Sequence, residues 1–200
     1  MNETYKVQVQ GLVDDLKAVF THAGLGGEAG EYKLLTQSFL YKFLNDKFLY
    51  QAKVLDESNT YENLLAMSEE DYDWLLEDIG TSTAWLKPDQ LIETLHRQQN
   101  EPTFYETFEN TLNQIAIDNN DIFSVHTDGD TAIRLFDERL ITDTISDSSK
   151  RNEVAKAIIN LLARVKFDET IFSQGFDFFS TLFEYMIKDY NKDGGGKYAE

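Results

Sequence analysis

The run from Glu31 to Val54 constrains this chain more than any other stretch. It contains neither proline nor glycine, so nothing in it interrupts a helix for more than about six turns. Leu34, Leu35, Phe39, Leu40, Phe43, Leu44, Phe48 and Leu49 recur along it and spread apolar surface over most of the circumference. A helix that is apolar almost all round is covered by neighbours. The run therefore predicts a central buried helix around which the remaining elements assemble.

The rest of the chain supplies helices to cover it. Leu12, Leu16, Val19 and Phe20 form a stripe at three- and four-residue spacing over residues 11–22, and Gly24, Gly26, Gly27 and Gly30 break the helix beyond it. Ser68 ahead of Glu69, Glu70 and Asp71 has the form of an N-cap with acids in the first turn, where they oppose the helix dipole; Gly80 closes that helix. Pro88 suits the first turn of another. Phe104, Phe108, Leu112 and Ile115 mark a helix ending near Asn119. Val154, Ile158, Leu161, Leu162 and Val165 mark one beginning near Ser149, and Phe176, Phe179, Phe183, Met186 and Ile187 mark a last one. Only 121–141, with Ile122-Phe-Ser-Val-His and then Asp128-Gly-Asp, has the texture of a hairpin. The expected fold is mainly α: a bundle-like, multi-helix domain over 1–190 with at most a small hairpin at 121–141. Residues 191–200 read as a glycine-rich connector, because three consecutive glycines, Gly194 to Gly196, usually join ordered elements; the chain is expected to be the front piece of something longer.

Two hundred residues, 42% of them hydrophobic, bury roughly 70% of the unfolded chain's surface. No stretch approaches the roughly 18 apolar residues of a membrane span, and Met1-Asn-Glu-Thr-Tyr-Lys is not the start of a secretory signal. A cytoplasmic protein that meets no membrane is expected. With no cysteine, disulfides, thiolate metal sites and cysteine nucleophiles are excluded.

The net charge of −18 is shared by both halves, 8 bases against 17 acids in residues 1–100 and 10 against 19 in the rest. Binding to nucleic acid over the whole surface is thereby disfavoured, since it rests on lysine and arginine displacing counterions. Locally the charge is uneven. Residues 54–86 hold nine acids and no base, whereas Lys150, Arg151, Lys156, Arg164 and Lys166 face only Glu153. At about 100° per residue, Lys150, Lys156 and Arg164 share one side of their helix, away from Ile158 and Val165. They are the candidate contacts to DNA phosphates, weighed against an ordinary solvated face.

Other motifs carry less. Asp189, Asn191, Asp193, Gly194 and Glu200 occupy positions 1, 3, 5, 6 and 12 of a calcium-loop pattern, but Gly196 and Lys197 stand where an apolar residue and a ligand are usual, so a linker is the preferred reading. The glycines of Ala23-Gly-Leu-Gly-Gly-Glu-Ala-Gly30 come after a helix, not a strand; they make a loop. His22, His96 and His126 are scattered, without metal-ligand spacing.

Two segments, one near each end, resemble the methylation subunit of type I restriction–modification systems. Glu31-Tyr-Lys-Leu-Leu-Thr-Gln-Ser-Phe-Leu-Tyr-Lys-Phe-Leu-Asn-Asp-Lys-Phe48 is similar to a helix of that family, in its acidic-Tyr-Lys opening and its Lys-aromatic-Leu-x-Asp-Lys-Phe close. Phe176 to Glu200, with Phe183-Glu-Tyr-Met-Ile187 and the glycines after it, resembles the family's passage into its catalytic domain. Residues 55–148 match only in helical texture. The resemblance implies the non-catalytic N-terminal helical domain of an N6-adenine DNA methyltransferase, which in the longer protein uses S-adenosylmethionine. Its implied partners are double-stranded DNA, a specificity subunit, a second methylation subunit and a restriction subunit. The Asn-Pro-Pro-aromatic loop that holds the flipped adenine in such enzymes does not occur here, where Pro88 and Pro102 stand apart. Glu200 alone reaches the edge of the family's cofactor-proximal segment. The alternative is a free-standing acidic helical interaction protein, calcium-binding through 189–200.

Overall fold

The computed structural model describes residues 3–123, 135–167 and 172. Among them are nine α-helices: α1 (Glu3–His22), α2 (Ala29–Leu55), α3 (Tyr61–Ala66), α4 (Glu69–Ile79), α5 (Ile92–Gln98), α6 (Phe104–Asp118), α7 (Asn120–Phe123), α8 (Leu140–Thr144) and α9 (Ser148–Arg164). A 3-10 turn, η1 (Pro88–Gln90), precedes α5. No strand occurs among the described residues, in keeping with a mainly α fold. The ends of the expected hairpin are helical, as 121–123 belong to α7 and 140–141 to α8. Residues 124–134 lie outside the described residues, as do His126, the last expected helix, the connector at 191–200, the calcium pattern at 189–200 and Glu200. No helix of the described residues is long and apolar enough to cross a membrane.

The uninterrupted run forms α2, two residues longer at its start and one at its end than the sequence implied. Leu34, Leu35, Phe39, Tyr41, Leu44, Phe48 and Ala52 are buried along it, over rather more than half the circumference. Helices α1, α4, α8 and α9 pack on it. At its start, Gly24 and Gly27 take the left-handed backbone that lets the chain reverse after α1, a conformation glycine adopts without a Cβ penalty. The Gly27 N–H donates to the buried Glu31 carboxylate at 2.7 Å. Gly30 sits in the first turn of α2, not in the loop, and a Cβ there would lie 2.7 Å from Thr144 Cγ2, so glycine permits the close approach of α2 to α8.

Phe43, expected in the core, is only partly buried. It stands on the outer side of α2 with Tyr50, and both rings pack against Phe172, at 5.9 and 5.5 Å. An apolar run on a helix gives no sign of which arc the neighbours leave uncovered.

Around α2 the other helices meet through α9, which packs against α1, α5 and α6 with Val154, Ala155, Ile158, Ile159 and Leu162. The short α8 is stabilised from both ends by other elements. Glu109 of α6 accepts bonds from the Thr142 N–H and hydroxyl, and Arg151 of α9 donates to the carbonyls of Ile145 and Thr142 at 2.9 and 3.3 Å. An acid at the N-terminus and a base at the C-terminus both oppose the dipole.

Local signals fixed α4. Ser68 Oγ accepts the Asp71 N–H at 3.1 Å, and Gly80 ends the helix at φ 63°. Pro88 opens η1 rather than an α-helix, and α5 starts at Ile92. The irregular strap from Gly80 to Leu91 is tied down by buried polar side chains. Asn119 accepts the Trp85 N–H at 2.6 Å and donates to the Trp85 and Ile115 carbonyls at 2.8 and 2.9 Å. Tyr72 donates to the Leu86 carbonyl at 2.6 Å and Tyr41 to that of Gln90 at 2.7 Å. A strap with no ladder of its own needs such partners for its backbone.

The contrast between the two phenylalanines is measurable. Phe39→Ala should cost about 3–5 kcal/mol by urea denaturation and Phe43→Ala less than half as much; equal losses would mean that Phe43 is as enclosed as Phe39. The buried tyrosines make stability depend on pH. The Tyr41 and Tyr72 hydroxyls are held above their ordinary value near 10, chiefly by burial, with the Asp89 carboxylate adding to it. The unfolded chain ionises first, so this stability is complete below about pH 10 and is lost as pH rises beyond it. Tyr72→Phe should flatten the loss between about pH 10 and 12, and an unchanged slope in urea midpoints would contradict the assignment.

Candidate functional site

A cleft of about 790 Å³ opens between the C-terminal half of α2, the start of α3, α5 and the end of α9. Its α2 wall is one stripe: Lys42, Asp46, Leu49 and Lys53 succeed one another at helical spacing, and successive positions of that kind share a face. From α9 and the residues after it come Asn160, Arg164, Lys166 and Phe167, and from α5 comes His96.

Lys42 lies at the floor, with only 3% of its side chain exposed. Its ammonium is 2.9 Å from Asp46 Oδ2 and 5.5 Å from the centre of the Phe167 ring. Burial pushes its pKa down; Asp46 opposes that shift, and nearby Lys166 adds to it. Asp46 also accepts from Asn45 Nδ2 at 2.9 Å and from the Phe167 N–H at 3.3 Å. Asn45 in turn accepts the Ile92 N–H at 2.9 Å. One buried ion pair thus joins α2, the start of α5 and the chain after α9.

The electrostatics of the cleft run against those of the chain. The protein has 36 acids and 18 lysines and arginines, yet the lining has four of the latter, Lys42, Lys53, Arg164 and Lys166, and two acids, Asp46 and Glu93. Both acids face a base: Asp46 pairs with Lys42, and Glu93 lies 3.4 Å from Arg97. A concave, low-dielectric wall concentrates the field that remains.

The three candidate DNA contacts do not converge. Lys150 lines a separate depression with Ala18, His22 and Ala23 of the α1 end, and its ammonium donates to the Ala23 carbonyl at 3.4 Å. Lys156 is half-buried on α9 and lines neither depression. Arg164 reaches the cleft and pairs with Asp15 of α1 at 2.5 Å. Both partners of that pair are more than half exposed, so it fixes Arg164 only weakly. Sequence reasoning missed Lys42, Lys53 and Lys166 as companions of Arg164. The available signal was Lys42 and Lys53, 11 residues apart on one face of the central helix. His96 contacts Asn160 at 3.0 Å, and no group of His, Asp and Glu able to hold a metal occurs among the described residues.

No family model, curated protein or solved structure matches the chain.

The buried pair makes its own prediction. Lys42→Met should destabilise by about 3–5 kcal/mol, because Asp46 is left charged and enclosed, and a further Asp46→Leu should recover most of that loss. Urea denaturation of both variants checks it; an unchanged midpoint for Lys42→Met would mean that water entering the cleft satisfies Asp46.

Proposed function

We propose that this chain is the non-catalytic N-terminal helical domain of a type I restriction–modification DNA methylation subunit. Its role there is to dock the specificity and partner subunits and to help clamp DNA beside the catalytic domain. The observation that carries the reading is what the family-like residues of Glu31–Phe48 do. Glu31 accepts from the turn that starts α2, Lys42 and Asp46 form the buried pair, and Leu44 and Phe48 are in the core. Part of the resemblance therefore rests on residues that hold the fold, as a likeness between domains would, while Tyr32, Lys33 and Phe43 of the same motif are less enclosed.

In this reading the parent protein is cytoplasmic and transfers methyl groups from S-adenosylmethionine to adenine N6 in duplex DNA. Arg164 is the DNA-contact candidate best placed for a phosphate, since its surface pair with Asp15 exchanges at little cost. Lys150 is committed to the end of α1. The second reading, a free-standing acidic interaction protein, is favoured by the outer face of α4, where Trp74 is 61% exposed beside Glu70, Asp73 and Glu77.

Deleting the gene and mapping N6-methyladenine across the source genome decides between them. The methyltransferase reading expects one bipartite motif to lose its methylation and to regain it on complementation. An unchanged methylome overturns it in favour of the free-standing protein.

A further inference from the structure

We infer that the cleft between α2, α3, α5 and the end of α9 binds a nucleoside phosphate. The inference is independent of the domain's parentage, because the described residues of this chain form the cleft.

Charge selects an anion. In a chain with twice as many acids as lysines and arginines, the lining reverses the ratio. Its two acids already face Lys42 and Arg97. Lys53, Arg164 and Lys166 are exposed and line the same opening, so α2 and the end of α9 both contribute cations to it. Arg164 offers the planar fork that suits phosphate oxygens, and a phosphate would replace its exposed carboxylate partner Asp15 with a more highly charged one.

The walls select the rest of the ligand. Tyr50, Tyr61, Phe167 and Phe172 all line the cleft. Phe172 lies on the Tyr50 ring at 5.5 Å with the planes 30° apart, so flat rings already pack against one another in this wall, where a base would add to the stack. Aromatic side chains hold bases by stacking, whatever the base. His96 and Asn160 supply polar edges beside them. The volume lies within the range of about 300–1,000 Å³ typical of small-molecule sites. A duplex is bound along an extended basic surface, whereas the cations of this site line one concavity. A single nucleotide fits the concave, aromatic and cationic lining better.

Calorimetry on the 200-residue chain with ATP, AMP, adenosine and inorganic phosphate tests the proposal. ATP and AMP should bind, with adenosine and phosphate each weaker by about tenfold or more, because each supplies half of the recognition. Lys53→Ala with Lys166→Ala should weaken ATP about tenfold and make its binding less dependent on salt, with the thermal midpoint unchanged. If the double variant does not fold, Lys166→Ala alone, at an exposed position beyond α9, carries the same test. A 5′-phosphorylated oligonucleotide binding more tightly than AMP would identify a strand end as the source of the nucleotide, and the reverse order a free nucleotide; both support the site. Absence of heat with every nucleotide at about 1 mM, or equal ATP affinity in wild type and variant, would overturn it. Neither result bears on the methylome, so this inference and the methyltransferase reading fail separately.

Discussion

A helix of 27 residues, about 40 Å long, cannot carry apolar side chains over more than half its girth unless other elements cover them. Burial of α2 is the constraint on which the rest of the arrangement depends. It requires neighbours, which α1, α4, α8 and α9 provide. Most polar side chains that α2 takes inward also find a partner, because an unpaired buried polar group costs more than a made hydrogen bond returns; the enclosed Ser38 hydroxyl, which has none, is the exception. Glu31 meets this need at the Gly27 N–H, Tyr41 at the Gln90 carbonyl, Asn45 at the Ile92 N–H, and Lys42 at Asp46. Most of these bonds reach irregular segments or helix starts, not the middles of other helices. The same side chains that satisfy α2 thereby fix the strap before α5 and the turn after α1.

This coupling explains why the candidate site lies where it does. The Lys42 and Asp46 pair is a structural bond between α2 and the chain leaving α9, and it consumes a carboxylate that would otherwise weaken the positive field of the cleft. Fold and site share one interaction. The acidity of the chain makes the contrast sharper, since a few cations in a concavity stand out against a field of opposite sign.

Parts of this arrangement were legible in the sequence because their causes are local. The limits of α2, α6 and α9 fall within a few residues of those implied by apolar spacing, and α4 has its own cap in Ser68 and its own stop in Gly80. Other parts were not legible because their causes are distant. Helix α8 depends on Glu109 and Arg151, and nothing in Leu140–Thr144 announces either. Phe43 looked interchangeable with Phe39 until the neighbours determined which arc was covered. Lys150, Lys156 and Arg164 belong to one helix, but Lys150 bonds to the Ala23 carbonyl after α1, whereas Arg164 pairs with Asp15 of α1 and also reaches the cleft. The cleft joins positions 42, 53, 164 and 166, and spacing within one segment cannot reveal charges that tertiary packing brings together.

If α2 is the most enclosed element and its polar ties bind the irregular segments to it, native-state hydrogen exchange read residue by residue tests this most directly, because amides that open only with global unfolding mark the cooperative core. Amides from Leu35 to Phe48 should exchange most slowly, and the Ile92 amide, bonded to Asn45, should be protected far beyond its place at a helix start. Faster exchange along α2 than along α6 and α9, with an unprotected Ile92, would contradict the central role of this helix.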